Sequence, residues 1–252
     1  MCATCGCSSG DALVTDLTHD HDHPHDHDHS HEHPPGAVAT ETLTLEEQVL
    51  ARNDLGAARN RGWFEGRDIL ALNLMSSPGA GKTTLLVRTI EDLADRRELA
   101  VIEGDQETVF DAERIKATGA KVVQINTGSG CHLDAEMLRR GRSVLEPSAG
   151  SVVLIENVGN LVCPALFDLG ESVRVVIMSV TEGADKPLKY PHMFRSADLL
   201  LLNKSDLLPY VDFDIERCTA DARRLKPDLE VLTVSATTGS GLDGWYDWLA
   251  QH

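Results

Sequence analysis

The sequence lacks the features of several large classes of protein. No apolar run among its 252 residues approaches the ~18 that a membrane-spanning helix requires. The first residues have neither the charged segment nor the apolar segment of a secretory signal peptide. Lys and Arg total 23 against 40 Asp and Glu, and they form no basic cluster, so neither nucleic acid nor an anionic membrane is expected as a main partner. We therefore expect a cytoplasmic protein, where thiols stay reduced.

Cysteine is scarce and unevenly placed. Three of the six cysteines, Cys2, Cys5 and Cys7, fall within the first seven residues. In a reducing compartment, metal ligands or buried hydrophobic residues are better interpretations than disulfides. If Met1 is removed, the free amine of Cys2 can join the three thiolates, a donor set that suits square-planar Ni(II), whereas zinc prefers a tetrahedron. Incidental reactive thiols are the alternative.

Histidine is concentrated in one tract near the N-terminus. Every second position from residue 19 to residue 33 is a histidine, and Asp fills most of the gaps. The tract comprises His19, His21, His23, His25, His27, His29, His31 and His33. Neutral imidazole suits Ni, Zn, Cu and Co, and alternate side chains of an extended chain share one face. The tract predicts metal binding; a purification tag or a solvated polar tract is the alternative.

The composition changes at about residue 40. Residues 1–40 are poor in apolar side chains and predict a disordered, metal-binding tail, whereas residues 41–252 predict a folded domain. Thr44 and Glu47 fit a capping box, so a helix is expected from Thr44 to about Gly62.

Short apolar runs then alternate with helix-length segments. The predicted strands are 69–75, 99–103, 122–126, 152–155, 174–180, 199–202 and 230–234, and predicted helices include 83–97, 133–145 and 212–225. Most of the runs are continuously apolar, as in parallel strands that are covered on both faces. The pattern predicts an α/β fold, a mostly parallel, doubly wound sheet of about seven strands flanked by helices, with ligands at the carboxyl ends of the strands.

A phosphate-binding loop follows the first predicted strand. The run SSPGAGKTT at 76–84 lies between strand and helix, although Ser76 replaces the usual first glycine. The predicted nucleotide-binding residues here are Gly79, Ala80, Gly81, Lys82, Thr83 and Thr84. Backbone N–H groups would surround phosphate oxygens, Lys82 would reach the β- and γ-phosphates, and Thr83 would ligate Mg²⁺. A chance Gly-rich turn is the alternative.

A base-recognition motif follows the sixth predicted strand. Asn203, Lys204 and Asp206 form an N-K-x-D arrangement, and Ser235-Ala236-Thr237 follows the last strand. Asp206 can accept hydrogen bonds from guanine N1–H and the 2-amino group, which adenine does not present. Asn203 would contact the base edge, Lys204 would cover its face, and the 235–237 loop would donate to guanine O6. Together with the phosphate loop, the motif predicts a GTPase.

Two further strand ends predict the switch elements. Asp105 is expected to bind Mg²⁺ or its water, Glu156 to hold a magnesium-bound water, and the Gly159 N–H to sense the γ-phosphate. With Lys82, these are the predicted catalytic residues. Asn160 stands where many GTPases have the glutamine that orients water, so we expect slow intrinsic hydrolysis.

A second group of candidate metal ligands lies in the folded domain. Cys131 and His132 precede a predicted helix, and Cys163 lies four residues beyond Gly159. A metal held by Cys131, His132 and Cys163 would therefore have a geometry that depends on the nucleotide. Three ligands leave an open position, or two chains share ions across a dimer. Each residue alone is equally compatible with a buried structural role, which is the role we expect for Cys218.

Four segments carry a resemblance to a known family. CATCGC at 2–7, TGSGCHLD at 127–134, ENVGNLVCP at 156–164 and EGADKPLKYP at 182–191 resemble the hydrogenase nickel-incorporation GTPases, the HypB family. The resemblance implies a SIMIBI-class G domain that dimerises with GTP. It also implies nickel delivery to the large subunit precursor of [NiFe] hydrogenase, with a HypA-type nickel chaperone as partner. It assigns tight nickel binding to Cys2, Cys5 and Cys7, and nickel or zinc binding to Cys131, His132 and Cys163. It also implies that the histidine tract is a nickel store with loose, multiple occupancy.

Three other functions are compatible with parts of the pattern. The urease nickel GTPase carries a Cys-Pro-His motif, which this sequence lacks. A nickel or zinc buffer with regulatory GTP binding would use the same ligands without needing turnover. An ATP-driven carrier of metal clusters is disfavoured by the segment 203–206.

Overall fold

The computed structural model describes residues 37–105, 110–128 and 130–252, with only the backbone described for residues 37–46. The chain divides into two units between Val49 and Leu50, and the second unit contains the sheet and the candidate sites. In the described part of the chain, no helix has the length and apolarity to cross a bilayer.

A single parallel sheet of seven strands forms the centre of the second unit. The strands are β1 (Leu70–Ser76), β2 (Leu99–Asp105), β3 (Lys121–Asn126), β4 (Val152–Glu156), β5 (Val173–Ser179), β6 (Leu199–Asn203) and β7 (Glu230–Thr233). They lie in the order β3-β2-β4-β1-β5-β6-β7. Each predicted strand is present, with both bounds within two residues of the prediction, and the predicted fold class is confirmed.

Helices cover both faces of the sheet. They are α1 (Ala37–Glu65), α2 (Lys82–Leu93), α3 (Phe110–Lys116), α4 (Ala135–Leu145), α5 (Lys186–Lys189), α6 (Pro191–Ser196), α7 (Ile215–Leu225) and α8 (Leu242–Gln251), with short 3-10 helices at Cys163–Ala165 and Ser205–Tyr210.

Side chains of β1 point alternately to the two faces of the sheet, and each face packs against a different set of helices. All seven residues of β1 are buried. Leu72 packs on one face with α2 and α8, where Trp245 is also buried, whereas Ala71 packs on the other face with Phe64 and Leu138 of α1 and α4. Because successive side chains of a strand point to opposite faces, a strand covered on both sides must be apolar throughout.

The first helix differs from its prediction. It begins at Ala37 and ends at Glu65, so Thr44 lies inside the helix and does not cap it. The segment 37–43 contains neither Pro nor Gly, and nothing in it prevents the helix from starting earlier. The predicted start at Thr44 was wrong because a capping-box pattern in the interior of a helix resembles one at its end.

Candidate functional site

The loop between β1 and α2 forms the floor of a cleft of about 570 Å³. Gly79 and Gly81 adopt φ angles of 74° and 91°, a region that favours glycine. A Cβ atom on Gly81 would lie 2.6 Å from Asn203 Nδ2, so the close approach of the two segments also requires glycine there. The loop therefore has the conformation and the position expected of a phosphate-binding loop.

Lys82 and Thr83 converge on one carboxylate in this cleft. Lys82 Nζ lies 2.9 Å from Glu156 Oε1, and Thr83 Oγ1 donates to the same oxygen at 2.7 Å. Glu156 ends β4, next to β1, which brings it to the start of α2. Parallel pairing thus assembles three predicted site residues from segments more than 70 positions apart in the sequence.

Two buried carboxylates lie side by side at the carboxyl end of the sheet. Glu103 of β2 is paired in register with Glu156 of β4, and both are 2% exposed. Among the described residues, Oε2 of each has no hydrogen-bond partner. Burial, together with the charges of Glu156 and Asp105, raises the pKa of Glu103 to about 8. Since buried carboxylate oxygens without partners are costly, this arrangement fits a bound divalent cation, and hard oxygen donors suit Mg²⁺.

Sequence reasoning missed Glu103. It assigned a role to Asp105 alone, and the structure places Asp105 at the end of β2, in the wall of the same cleft. The available signal was an acidic residue inside an otherwise apolar strand, which costs stability unless it has a function.

The predicted base-recognition residues surround the other end of the loop. Asn203 Nδ2 donates to the carbonyl oxygen of Ala80 at 3.0 Å, and Asn203 Oδ1 accepts from the N–H of Ala236 at 3.1 Å. Ser235 Oγ donates to Asp206 Oδ1, and Lys204 Nζ lies 2.7 Å from the carbonyl oxygen of Gly79. Asn203 is thus positioned to hold the three loops together, and its predicted contact with the base edge remains a prediction. Thr237 is exposed beside them.

The segment after β4 closes the cleft on the side of the phosphate loop. Val158 and Gly159 both line the cleft. A Cβ atom on Gly159 would lie 3.2 Å from Pro78, so the two loops are in close contact. Asn160 points to other partners: its Nδ2 donates to the carbonyl oxygen of Cys131 at 3.3 Å, and its Oδ1 accepts from the N–H of Val162 at 2.8 Å.

Cys131, His132 and Cys163 come together as predicted. One ligand atom from each lies within 4.8 Å of the others, and all three residues are half-buried. The two Sγ atoms are 2.9 Å apart, and Cys131 Sγ is 3.6 Å from His132 Nδ1. Burial lowers the pKa of His132, which favours the neutral imidazole that binds metals. We refer to these three residues as the metal triad.

Helix α1 is hydrogen-bonded to the segments that follow both loops of the metal triad. Asn53 Oδ1 accepts from the N–H of Ala135 at 2.9 Å, and its Nδ2 donates to the carbonyl oxygen of Asp168 at 2.7 Å. Asn60 Nδ2 donates to the carbonyl oxygens of Ala135 and Leu169, at 2.8 and 2.9 Å. The start of α4, just beyond His132, and the segment after Cys163 are therefore held to one rigid element.

The remaining candidate ligands fall elsewhere. Cys218 is fully buried on α7 with its Sγ 4.0 Å from Met178 Sδ, and burial raises the pKa of its thiol to about 12, as expected of a structural cysteine. The N-terminal cysteines and the histidine tract, residues 2–7 and 19–33, lie outside the described residues.

Comparison with known proteins places the chain in one family. Residues 70–233 match the model of the CobW/HypB/UreG nucleotide-binding domain. The "Hydrogenase maturation factor HypB" of Azotobacter vinelandii is 59% identical over 215 residues, which cover 85% of this chain and 71% of the relative. The "Hydrogenase/urease maturation factor HypB" of Helicobacter pylori is 36% identical and is covered to 89%, with 85% of this chain.

The solved structures agree with the fold. The crystal structure of HypB from Helicobacter pylori in complex with nickel aligns with a TM-score of 0.76 and 35% identity, covering 79% of this chain and 94% of that one. The match to the family model extends over the sheet, the phosphate loop and the metal triad, since all of them lie within residues 70–233.

Proposed function

This chain belongs to the HypB family of hydrogenase maturation factors, and on that basis we propose that it is a GTP-hydrolysing nickel metallochaperone. It stores nickel and delivers it to the large subunit precursor of [NiFe] hydrogenase in the cytoplasm, together with a HypA-type nickel chaperone. The observation that carries the proposal is the position of the metal triad, whose Cys131 loop is hydrogen-bonded to the segment that follows Gly159 in the wall of the nucleotide cleft.

The nucleotide is proposed to be GTP. Asp206, fixed by Ser235 Oγ, presents a carboxylate that can accept from the guanine N1–H and 2-amino groups. The 235–237 loop, with Ala236 and Thr237, completes the base pocket, and Lys204 covers the base. A pocket whose carboxylate accepts from two donors of the base discriminates strongly against a base that lacks them.

Chemistry at the phosphates is assigned to the opposite end of the cleft. The phosphates would lie against Gly79, Gly81, Lys82 and Thr84, and Thr83, Asp105 and Glu156 would hold Mg²⁺. When bound, the cation neutralises the charge that develops on the phosphate oxygens. Lys82 supplies the second positive charge, already held by Glu156 in the cleft, and the Gly159 N–H senses the γ-phosphate.

Hydrolysis is proposed to be slow. Asn160 occupies the position of the water-orienting residue in Ras-type GTPases, yet its side chain binds the backbone of Cys131 and Val162. A residue so engaged does not orient an attacking water, which suits a timer rather than a metabolic enzyme.

Nickel is the proposed cargo of the metal triad, with zinc as an alternative occupant. Two thiolates and a neutral imidazole form a donor set that nickel and zinc both accept. Because three ligands leave a position open, a partner chain can take over the ion, or a second copy in a GTP-dependent homodimer can complete the site. The N-terminal Cys2, Cys5 and Cys7 are proposed as a tight nickel site and the histidine tract as storage.

A transfer assay tests this function. The full chain is loaded with nickel and mixed with a HypA-type chaperone and GTP, GDP or a non-hydrolysable GTP analogue, and nickel is measured in each protein after separation. We expect transfer to depend on the nucleotide, and Lys82→Ala to abolish the effect of GTP. Equal transfer under all three conditions would contradict the proposal.

A second candidate function is a nickel or zinc buffer with regulatory GTP binding. It predicts nickel binding without turnover of GTP, which is tested by measuring phosphate release from GTP in the nickel-loaded protein. The "hydrogenase/urease" relative in Helicobacter pylori adds a third candidate, delivery to urease, which is tested by offering apo-urease as the acceptor.

A further inference from the structure

Asn157 lies between the nucleotide cleft and the metal triad. It directly follows Glu156, and its own N–H continues the pairing of β4 with β1 by donating to the carbonyl oxygen of Leu74 at 3.0 Å. Its side chain is fully buried. A buried amide must find partners for one acceptor and two donors, so its surroundings determine its orientation.

One oxygen of Asn157 binds both loops. Oδ1 accepts from the N–H of Val158 at 3.0 Å and from the N–H of Leu133 at 3.1 Å. Val158 precedes Gly159 in the wall of the cleft, and Leu133 directly follows the ligands Cys131 and His132. A single atom therefore joins the backbone of one loop to the backbone of the other.

The nitrogen of the same amide extends to the loop that follows Cys163. Asn157 Nδ2 donates to Asn73 Oδ1 at 3.2 Å, and Asn73 Nδ2 donates to Glu171 Oε1 at 3.1 Å. Glu171 Oε2 accepts from the N–H of Leu169 at 2.7 Å. The chain of hydrogen bonds therefore reaches the segments after both halves of the metal triad, and it fixes which end of the Asn157 amide faces Leu133.

We propose that Asn157 is the positioning residue through which the nucleotide state changes the nickel affinity of the metal triad. A displacement of Val158 and Gly159 on nucleotide binding moves or breaks the two bonds of Asn157 Oδ1, and Leu133 moves with the ligands next to it. This inference rests on the proposed function, because it concerns how the same two sites communicate. By linkage, nickel binding changes the nucleotide affinity by the same factor.

The chemistry of the side chain makes the proposal specific. Leucine at this position has a similar volume but accepts no hydrogen bond. Serine keeps a polar hydroxyl group at the site, but its side chain is too short to reach Leu133 N. Aspartate retains an oxygen that can accept from both N–H groups but loses the donor to Asn73 Oδ1. A role through Oδ1 predicts that Asn157→Asp retains more of the coupling than Asn157→Leu and Asn157→Ser do.

The test is the nickel affinity of the metal triad in two nucleotide states, GDP and a non-hydrolysable GTP analogue, both with Mg²⁺, measured on the full chain as the nickel binding that Cys163→Ala removes. In the unmodified protein we expect the two dissociation constants to differ about tenfold, within the usual range of allosteric coupling. The ratio falls below about twofold in Asn157→Leu and Asn157→Ser and stays above about fivefold in Asn157→Asp. Each variant is compared with Thr89→Val, which removes a buried hydroxyl that accepts from Trp245 Nε1, remote from both sites.

The outcomes separate this inference from the proposed function. A wild-type ratio in both Asn157→Leu and Asn157→Ser overturns the role of Asn157 and leaves the metallochaperone function intact. If Asn157→Leu fails to fold, Asn157→Ser and Asn157→Asp carry the test. A ratio near one in the unmodified protein overturns the coupling itself, and failure of the proposed function shows separately, as absent GTP turnover or absent nickel binding.

Discussion

The nucleotide cleft and the metal triad are built at the same edge of one sheet from opposite kinds of ligand. In the cleft, Glu103 and Glu156 are nearly inaccessible, and each has an oxygen without a partner among the described residues. In the triad, two thiols and an imidazole are half-buried and lie against one another. Hard carboxylate oxygens favour Mg²⁺, whereas sulfur and nitrogen favour nickel or zinc. The two regions therefore offer donor sets that favour different classes of divalent cation.

The two regions also differ in how they are held. The cleft residues lie at the ends of strands and at the start of α2, so the parallel pairing of the strands fixes their positions. Cys131 and His132 lie on a loop, Cys163 begins a short 3-10 helix, and side-chain hydrogen bonds from α1 and Asn157 hold the adjoining segments in place. The geometry of the triad therefore depends on side-chain hydrogen bonds, whereas that of the cleft depends on backbone pairing between strands.

The largest expected effect concerns the cleft alone. Lys82→Ala removes the ammonium that lies 2.9 Å from Glu156, and we expect GTP turnover to fall by about 10³-fold, because a charge aimed at the transferring phosphate is lost. The nickel affinity of the triad without nucleotide should stay within about twofold, since no triad contact changes. Phosphate release and nickel titration measure the two quantities, and a large loss of nickel affinity would show that the regions are not separate.

The next effect concerns base selection at the far end of the cleft. Asp206→Ala removes the acceptor for two guanine donors, and we expect GTP affinity to fall about 100-fold, as for the loss of two charged hydrogen bonds. Competition titrations with GTP and ATP measure it. Unchanged preference for GTP in the variant would contradict the assignment of base recognition to this residue.

A smaller effect is expected from deleting the histidine tract, which distinguishes nickel storage in the tract from nickel binding at the metal triad. Deleting residues 19–33 should reduce the number of nickel ions bound per chain several-fold, because eight imidazoles are removed, and should leave GTP turnover within about twofold. Equilibrium dialysis and phosphate release measure the two. If turnover falls with the deletion, the tract has a role in the G domain that storage does not explain.

A separate effect, on stability rather than on binding or turnover, is a pH dependence that arises from a carboxyl group of the cleft. The pKa of Glu103 is about 8 in the folded protein against 4.5 ordinarily, so between these values the folded state holds one proton more than the unfolded chain. The free energy of unfolding of the nucleotide-free protein should therefore fall as pH rises through this window, by up to about 1.4 kcal/mol per unit. Below pH 4.5 the carboxyl is protonated in both states and the penalty is absent.

Glu103→Gln should remove this slope, since the amide stays neutral at all pH values. Denaturant unfolding at several pH values in the absence of Mg²⁺ measures it, with Glu216→Gln on the surface of α7 as the matched control. An equal slope in Glu103→Gln and the unmodified protein would contradict the assignment.

Much of the fold could be predicted from the sequence because the five inner strands of the sheet are mostly buried, and only the edge strands β3 and β7 are not. A continuous apolar run of four residues, such as 199–202, is typical of a parallel strand between two layers of helices, and β6 extends only one residue beyond it. The start of α1 could not be predicted, since no local signal distinguishes Ala37 from Thr44 as the first residue of the helix.

The candidate site was predictable where its residues form motifs. The segments 76–84 and 203–206 have a fixed spacing, and the structure places both at the cleft. The metal triad was also predicted as a group, and the structure brings the ligand atoms of Cys131, His132 and Cys163 within 4.8 Å of one another. Asn157 lies within the segment 156–164, yet its sequence position predicts no role, because its bond to Leu133 joins residues 24 positions apart and depends on how the strands are ordered in the sheet.

The most direct test of the account is the effect of nickel on GTP turnover and dimerisation in Cys163→Ala, with Cys218→Ala as the control for a buried cysteine outside the triad. We predict that nickel changes both quantities in the unmodified protein and in Cys218→Ala, and changes neither in Cys163→Ala, because the ion no longer reaches the segment beside Gly159. If nickel alters turnover and dimerisation in Cys163→Ala as it does in the unmodified protein, the metal triad and the nucleotide cleft are not coupled through this site.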